Sequence, residues 1–370
     1  MLRFLEVAEN VEPVVLLAED GPLVGALEDT GARVEIMPLP ARTRNLRRSD
    51  VRLGVSLMRV AGDMAQYAAR LRRRFVELKP DVVSLISLKS GLYGAPAARL
   101  AGIPTVWHLH DQIAPYYLAP RTVAPMRVAI GTLPSAVVAA SQATLQTVTW
   151  FRPGMRTAVI PGPIPMAPRP VTIRPRVERI GILGRLAPWK GQDVFLRAFA
   201  DAFPDSSVRA VLIGDAMFGE DAYALDLRRL ASELGIADRV DFLGFRRDTE
   251  AELRQLDVLV HASVTPDPLG TVVFEGLAVG LPVIAARAGG PGEYIADGAQ
   301  GLLHTPGDVL ELSELLKRTA GDLDLRVRLG AAARARIRDF APETIAAAWL
   351  DLYRDVIGKE TRAAPPVSAG

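Results

Sequence analysis

Short runs of β-branched and aliphatic residues alternate with helix-length amphipathic segments along nearly all of the chain. Continuous apolar strands separated by helices are typical of parallel sheets that are covered on both faces. The first half has six such candidate strands, at residues 13–18, 33–37, 81–86, 104–109, 136–140 and 157–161. The second half has five, at residues 179–183, 209–214, 239–244, 257–263 and 282–286. Both halves therefore predict doubly wound α/β domains.

A proline-rich segment, PGPIPMAPRPVTIRPR at residues 161–176, separates the two halves. Proline fixes φ and lacks a backbone N–H, so the segment cannot form a central strand and is typical of an interdomain linker. A chain of 370 residues also exceeds one ordinary core and fits two domains of roughly 150 to 180 residues. We therefore predict an N-terminal domain at residues 1–165 and a C-terminal domain at residues 166–341.

The end of the chain predicts one further helix. Residues 342–358, PETIAAAWLDLYRDVIG, form an amphipathic pattern that ends in a glycine. Since glycine is a common helix stop, we expect a helix at 342–358 that ends at Gly358 and packs back on the N-terminal domain. Residues 359–370, which include TRAAPPVSAG, are predicted to be disordered.

The start of the chain differs from the usual start of a nucleotide-binding α/β domain. Such a domain opens with a central strand, a glycine-rich loop and a helix. Residues 1–9 instead have the character of the end of that first helix, and the strand at 13–18 follows at once. Loss of a central strand would leave its neighbours unpaired. We therefore hypothesise that the natural start lies upstream of Met1, with a first strand and loop between the two.

The charge of the chain is nearly balanced but unevenly distributed. A net charge of +2 is too small to predict a nucleic-acid partner. Between Arg42 and Arg74, however, there are ten arginines and only two acidic residues, Asp50 and Asp63. This stretch has two interpretations: a solvated helical face, or an interfacial patch that meets anionic lipid or an anionic acceptor.

Three further features of the sequence concern the compartment. There are no cysteines, which excludes disulfides and is compatible with a reducing cytoplasm. No run of 18 residues is free of charge and proline, so no spanning helix is predicted. Acidic residues in MLRFLEVAENVEP occupy the place of the apolar region of a signal peptide. We expect a cytoplasmic protein, either soluble or peripheral at the inner face of the membrane.

Two cations and two glycines follow the strand at 179–183, in the segment GRLAPWKGQD. They are Gly184, Arg185, Lys190 and Gly191, and the apolar pattern after them predicts a helix. In open α/β sheets, ligands bind at the carboxyl ends of the strands. Two cations beside a helix N-terminus suit a diphosphate, since side-chain charge adds to backbone N–H donors. The alternative is a surface loop whose Arg and Lys are only solvated.

A second segment of this kind follows the strand at 257–263. Gly270 and Thr271 are predicted to begin a helix that ends at Gly280 with a left-handed cap. Glu275 lies one helical turn beyond Thr271 on the same face. Its carboxylate can accept hydrogen bonds from both hydroxyls of a ribose whose phosphate lies at the helix end, or it can simply complement the helix dipole. Asp267 lies on the loop before this helix.

Other cofactor and metal motifs are not found in the sequence. No strand is followed by G-x-G-x-x-G, and there is no P-loop, H-E-x-x-H or metal-spaced cluster. His108 and His110, in WHLHDQI, alternate on one strand and so share a face. Without a third ligand they predict packed or sugar-facing imidazoles, with His110 beside Asp111 the better functional candidate. We expect no metal and no bound cofactor.

Taken together, these segments resemble the retaining glycosyltransferases of family 4. The resemblance is carried by GRLAPWKGQD, VLIGD, VDFLGF and residues 267–303, and in the first half by AGIPTVWHLHD and AVVAASQAT. It implies the GT-B fold, in which two Rossmann-like domains face a cleft. It also implies transfer of a sugar from a nucleotide-diphosphate-sugar, with retention of the anomeric configuration by front-face attack and without a bound metal.

The resemblance also implies roles for individual residues. Arg185 and Lys190 would neutralise the leaving diphosphate, and Glu275 would hold the ribose. His110 would approach the donor sugar from the other domain, and Asp267 would stand where the family usually has a glutamate. The remaining donor-binding residues are Gly184, Gly214, Gly244 and Phe245, of which the last two lie along the base, and Leu269, Gly270 and Thr271, whose amides contact sugar hydroxyls and phosphate.

The function predicted from this resemblance is a glycosyltransferase that acts on a glycan or glycolipid acceptor in cell-surface polysaccharide synthesis. Two alternatives remain. One is a nucleotide-sugar epimerase of the same fold, which would need acid and base groups facing the sugar from both halves. The other is a nucleotide-sugar-binding protein that has lost activity with its N-terminal strand and loop.

Overall fold

A computed structural model describes residues 2–40, 55–164 and 170–363 of the chain, without the side chains of 55–61 and 359–363. The protein divides into two compact units. The first unit comprises Met1–Pro163 together with Pro342–Gly370, and the second comprises Ile164–Ala341.

Six strands of the first unit form two parallel sheets. They are β1 (Val14–Leu17), β2 (Arg33–Ile36), β3 (Val83–Leu85), β4 (Thr105–Leu109), β5 (Ala136–Ala139) and β6 (Arg156–Val159). One sheet has the order β1-β2 and the other the order β3-β4-β5-β6. All six predicted strands are therefore confirmed. Within the described residues, β1 and β2 pair only with each other, so the strands are divided between two sheets.

The helices of the first unit follow or connect these strands. They are α1 (Leu2–Val7), α2 (Leu23–Glu28), α3 (Val55–Leu78), α4 (Leu88–Leu100), α5 (Pro120–Thr132) and α6 (Gln142–Gln146). The long helix α3 buries Tyr67, Leu71 and Phe75 in the core. Their spacing of four residues places them along one side of the helix, which explains the amphipathic pattern of this segment.

The C-terminal helix, Pro342–Ala363, belongs to the first unit. Its Val356 packs with Val106 and Val138 on one face of the four-stranded sheet, and its Trp349 ring lies 5.2 Å from the ring of Phe4 in α1. The prediction that the helix ends at Gly358 was wrong. A helical glycine costs only about 1 kcal/mol, and the good helix formers after it extend the helix by another turn.

The arginine-rich stretch Arg42–Arg74 lies only partly within the described residues, which omit 41–54. Three of its arginines, on helix α3, make contacts inside the first unit. Arg72 Nε donates to the carbonyl oxygen of Leu100 at 3.0 Å, and Arg74 makes two hydrogen bonds to Glu35. Arg70 donates to Pro38 at 3.4 Å. No helix within the described ranges is both long and apolar enough to cross a membrane.

The second unit contains one parallel sheet of six strands. They are β7 (Arg179–Leu183), β8 (Arg209–Ile213), β9 (Val240–Gly244), β10 (Val258–His261), β11 (Val283–Ala286) and β12 (Leu302–His304). Their order is β12-β11-β10-β7-β8-β9. The five predicted strands are confirmed, whereas β12 was not predicted. The strand order reverses between β7 and β10, and such a switch point opens a crevice at the carboxyl ends of the two strands.

Helices cover both faces of this sheet. They are α7 (Gln192–Ala202), α8 (Asp221–Glu233), α9 (Thr249–Leu253), α10 (Thr271–Val279), α11 (Gly290–Tyr294), α12 (Val309–Gly321) and α13 (Leu323–Arg336). Alternate strand residues enter two different cores: Leu212 lies in one, and Val211 lies in the other. The second unit is therefore a doubly wound Rossmann-like domain, as predicted.

Candidate functional site

Three glycines lie side by side at the carboxyl ends of β7, β8 and β9. Gly184, Gly214 and Gly244 all have positive φ, at 145°, 140° and 69°. The amide of Gly214 donates to the oxygen of Gly244 at 2.9 Å. A Cβ on Gly214 would lie 2.1 Å from the oxygen of Gly184. A side chain at Gly214 would therefore prevent this close approach to the loop after β7.

The loop with the two predicted cations begins at the first of these glycines. Residues Pro188–Lys190 form a short 3-10 turn, and Gly191, with φ 68°, precedes helix α7. A Cβ on Gly191 would lie 2.0 Å from the oxygen of Ala262, directly after β10. The side chain of Gln192 donates to the oxygen of Arg185 at 2.9 Å. The loop is therefore fixed at the switch point between β7 and β10.

Lys190 forms an ion pair with Asp267 in which Nζ and Oδ2 are 2.6 Å apart. Asp267 is buried, with 6% of its surface exposed, and Lys190 Nζ also lies 4.1 Å from the centre of the Trp189 ring. The other carboxylate oxygen of Asp267 accepts a hydrogen bond from the amide of Gly270 at 2.8 Å. Both oxygens of the carboxylate are thus engaged.

Two further polar residues extend the hydrogen-bonded cluster at Asp267. His261 Nε2 lies 3.3 Å from Asp267 Oδ2 and 2.9 Å from Ser263 Oγ. Burial opposes ionisation of Asp267, but the His261 hydrogen bond and the charge of Lys190 outweigh it. Together they hold the pKa of this carboxyl far below its usual range. Asp267 is therefore a fixed anion rather than a group that exchanges protons near neutral pH.

Helix α10 begins beside this cluster, as predicted. It extends over Thr271–Val279, with Gly270 before it and Gly280 after it, and both glycines are left-handed. Thr271 is exposed at the first position, and Glu275 is half-buried one turn later. The backbone of Leu269 packs directly against Gly290, where a Cβ would lie 2.5 Å from the Leu269 oxygen. Since the amide of Gly270 donates to Asp267, any ligand at this amide would share it with that carboxylate.

The second predicted cation, Arg185, has different partners. Its Nη1 lies 3.2 Å from Glu220 Oε2, and its guanidinium carbon lies 5.0 Å from the centre of the Phe218 ring. On the neighbouring strand β9, Phe245 follows Gly244 and is exposed over 67% of its surface. Cationic and aromatic side chains thus follow the carboxyl ends of β7, β8 and β9.

His110 lies in the first unit, whereas every other predicted site residue lies in the second. It is exposed directly after β4, and its ring stacks on that of His108 at 6.1 Å. His108 is the packed imidazole: its Nε2 lies 2.9 Å from Ser84 Oγ and 3.1 Å from Tyr353 Oη. Burial lowers the pKa of His108 to about 3. Among the residues that the structure describes, no group of three or more His, Asp or Glu could hold a metal ion.

Comparison with known proteins identifies the fold and the family. The family described as Glycosyl transferases group 1 matches residues 167–336, and the Glycosyl transferase 4-like domain matches residues 6–163. The crystal structure of HepE from Anabaena in complex with UDP and glucose has a TM-score of 0.80 to this chain and is 27% identical. That likeness covers 95% of this chain and 94% of HepE. The chain belongs to the family 4-like GT-B glycosyltransferases.

Curated relatives are similar to the chain over shorter spans. D-inositol 3-phosphate glycosyltransferase from Corynebacterium glutamicum is 34% identical over 186 residues, which are 49% of this chain and 44% of that protein. The lipopolysaccharide core biosynthesis glycosyltransferase LpsE from Rhizobium meliloti is 33% identical over 171 residues, or 46% and 48%. The chain thus spans about half the length of the curated relatives it matches, or less.

Sequence reasoning missed several residues around the predicted cations. They are His261, which contacts Asp267, Ser263, which contacts His261, Glu220 and Phe218, which contact Arg185, and Trp189, which contacts Lys190. A signal existed for the first two, because polar residues at alternate positions at the end of a buried strand share one face. For Glu220 the sequence offers no such signal, since it meets Arg185 only through the fold. The roles predicted for the other site residues stay predictions.

Proposed function

We propose that the protein transfers a sugar from a nucleoside-diphosphate-sugar to a glycan or lipid-linked acceptor, with retention of the anomeric configuration. The observation that carries the proposal is the position of Lys190 at the switch point of the Rossmann-like sheet, paired with Asp267 before helix α10, with Arg185 on the same loop. Open α/β sheets bind nucleotides in this place. The crystal structures of HepE with UDP and with UDP-glucose support a nucleotide-sugar donor.

In the proposed reaction, the two cations stabilise the diphosphate as it leaves the sugar. Lys190 is held by Asp267 and by the Trp189 ring, so its charge is oriented before the donor binds. Such preorganisation is worth more in the transition state than a mobile charge would be. We propose that Arg185 and Lys190 together supply the neutralisation that metal ions provide in other phosphate-transfer sites.

Asp267 suits the role of an anchor better than that of a nucleophile. Its oxygens are engaged by Lys190, His261 and the amide of Gly270, and formation of a glycosyl ester would break these contacts. Retention by front-face attack avoids this cost, because the departing phosphate accepts the proton of the acceptor hydroxyl. Glu275, one turn inside helix α10, is proposed to hold the ribose hydroxyls.

The acceptor and the location are proposed from the relatives and from the sequence. LpsE, a lipopolysaccharide core glycosyltransferase, supports an acceptor in cell-surface polysaccharide synthesis. For such an acceptor, the protein would act at the cytoplasmic face of the membrane. Contact with anionic lipid through Arg42–Arg74 stays a prediction, and the contacts of Arg70, Arg72 and Arg74 within the first unit favour the alternative of a helical face.

A donor screen tests the proposed function. UDP, GDP, ADP and their sugar conjugates are added to the purified protein, and the melting temperature is measured. A ligand that binds only the native state at about 100 times its Kd adds about 2.7 kcal/mol to the free energy of unfolding. The best donor is then incubated with glycan and glycolipid acceptors. Transfer supports the proposal, whereas an isomerised donor indicates an epimerase and binding without turnover indicates a binding protein.

A further inference from the structure

The two cations of the donor site are held by carboxylates in different ways. Lys190 donates a hydrogen bond of 2.6 Å to Asp267, whose second oxygen is held by the amide of Gly270. Arg185 lies 3.2 Å from Glu220, but Glu220 Oε2 is buried and has no hydrogen-bond partner within the described part of the chain. The first pair is part of a hydrogen-bonded cluster, whereas the second is held by charge alone.

Glu220 reaches Arg185 through a short segment after β8, Asp215–Glu220, which we call the Arg185 arm. The amide of Leu186 donates to the oxygen of Asp215 at 3.0 Å, and Leu186 also forms a bridge with Ala216. These contacts align the start of the arm with the loop that carries Arg185. The arm then turns at Phe218 and Gly219, which have φ values of 59° and 89°.

Phe218 is an unusual residue for this turn. A bulky side chain at positive φ is strained, and 79% of the surface of Phe218 is exposed. Its ring nevertheless lies against the Arg185 guanidinium, at 5.0 Å. Strain of this kind persists where the surrounding structure imposes it, and it is concentrated at functional sites. The arm thus presents both a ring and a carboxylate to a single arginine.

We propose that Glu220 is an exchangeable counter-ion of Arg185 that the diphosphate of the donor displaces. Phosphate oxygens accept paired, charge-assisted hydrogen bonds from a guanidinium, which Glu220 does not offer at its present geometry. The Phe218 ring supports the guanidinium with either anion. Until it is displaced, Glu220 competes with the phosphate for the same guanidinium. Glu220 therefore lowers the affinity of the site for the donor, whereas Asp267 remains in place.

This proposal rests on the proposed function and predicts a gain of affinity. Glu220→Gln keeps the shape of the side chain and removes its charge. We expect nucleoside diphosphate to bind this variant about two- to fivefold more tightly than wild type, in the range of a partly exposed ion pair. In an Arg185→Ala background the same substitution is expected to have no effect, because there is no guanidinium to compete for.

The experiment is a double-mutant cycle measured by calorimetry. UDP, GDP and ADP are titrated into wild type, and the tightest is used for Glu220→Gln, Arg185→Ala and the double variant. Glu233→Gln is the matched control, since it removes the same charge from the other end of helix α8. Circular dichroism checks folding, and Glu220→Ala replaces the Gln variant if that one is unstable.

The outcomes separate the two proposals. Tighter binding by Glu220→Gln, absent from the control and from the Arg185→Ala background, supports the exchangeable counter-ion. Equal or weaker binding by the Glu220 variants overturns it and leaves the proposed function intact. Tightening that persists without Arg185 also overturns it, because the effect would then be one of general charge. If no nucleoside diphosphate binds wild type, the proposed function fails, and the role of Glu220 fails with it.

Discussion

The ammonium group of Lys190 lies 2.6 Å from the buried carboxylate of Asp267. Because these residues are 77 positions apart in sequence, the pair joins the loop after β7 to the loop after β10. The pair therefore has two functions that can be separated. It places a positive charge at the switch point, and it compensates an anion that would be costly to bury alone.

Lys190→Ala is expected to lower kcat/KM, through a loss of about 2 to 4 kcal/mol of transition-state stabilisation. It should also destabilise the second unit, because Asp267 is left buried and unpaired. Combining it with Asp267→Asn should restore the urea-unfolding midpoint toward that of wild type without restoring transfer. Recovery of transfer by the double variant would show that Lys190 acts only through Asp267.

Arg185→Ala should lower kcat/KM through a similar loss of transition-state stabilisation, about 2 to 4 kcal/mol. It should cause little loss of stability. The reason is that its ion pair with Glu220 is partly exposed, with 27% of the Arg185 side chain accessible. Steady-state kinetics and urea unfolding measure the two effects. Arg185→Lys serves as the charge-conserving control and should recover part of the activity. Near-normal kcat/KM in Arg185→Ala would contradict its assignment to the diphosphate.

Glu275→Ala is expected to weaken binding of a ribonucleoside diphosphate by about 1 to 3 kcal/mol, the cost of lost hydrogen bonds to a charged group. A matched ligand makes the measurement specific. Wild type should bind the 2′-deoxy analogue less tightly than the ribonucleotide, and the variant should bind the two about equally. If the variant keeps the preference for ribose, Glu275 does not hold the hydroxyls.

Gly191→Ala should destabilise the second unit and impair transfer. Gly191 has φ 68°, and a Cβ there would lie 2.0 Å from the Ala262 oxygen, so the Lys190 loop would have to move. Gly235→Ala is the matched control, because Gly235 has φ 67° but nothing within 4 Å of the added Cβ. We expect about 1 to 2 kcal/mol from left-handed strain in both and a further loss at Gly191. Equal unfolding midpoints would contradict the clash.

The first unit should lose stability as the pH falls below neutral. His108 has a pKa of about 3 in the folded protein against an ordinary 6.5. Between these two pKa values the unfolded chain binds a proton that the native chain does not. The free energy of unfolding therefore falls by up to about 1.4 kcal/mol for each unit by which the pH is lowered. His108→Gln should reduce the slope of stability against pH. The slope is measured from urea-unfolding midpoints between about pH 7 and pH 4.5. Identical slopes would contradict the role of His108.

The parts of the fold that depend on local pattern could be predicted from the sequence. Helix α10 is an example: Gly270, the apolar run and Gly280 lie within eleven consecutive residues, and the helix begins and ends at them. The eleven predicted strands are present for the same reason. Strand β12 was missed because only two apolar residues precede His304 in Leu302–His304, whereas β3, which is equally short, lies within the longer predicted run at residues 81–86.

The partners within the site could not be predicted, because they are determined by strand order. Arg185 and Lys190 were recognised as cations at the end of a strand. The sequence did not show that Glu220 pairs with Arg185. Nor did it show that His261 contacts Asp267, the partner of Lys190. These contacts join loops that follow different strands, and one sequence holds no record of which loops the sheet brings together. The prediction that the C-terminal helix ends at Gly358 was wrong for another reason, since a glycine permits a helix stop without requiring one.

The first unit is interrupted in sequence, since the chain leaves it after Pro163 and returns to it at Pro342. A ribosome therefore releases the whole of the second unit before Tyr353 and Val356 emerge. Until then, His108 and the face of the sheet around Val106 and Val138 lack the helix that covers them. The second unit is continuous and can close its core earlier. The half of the protein that is synthesised first is thus the half that completes its folding last.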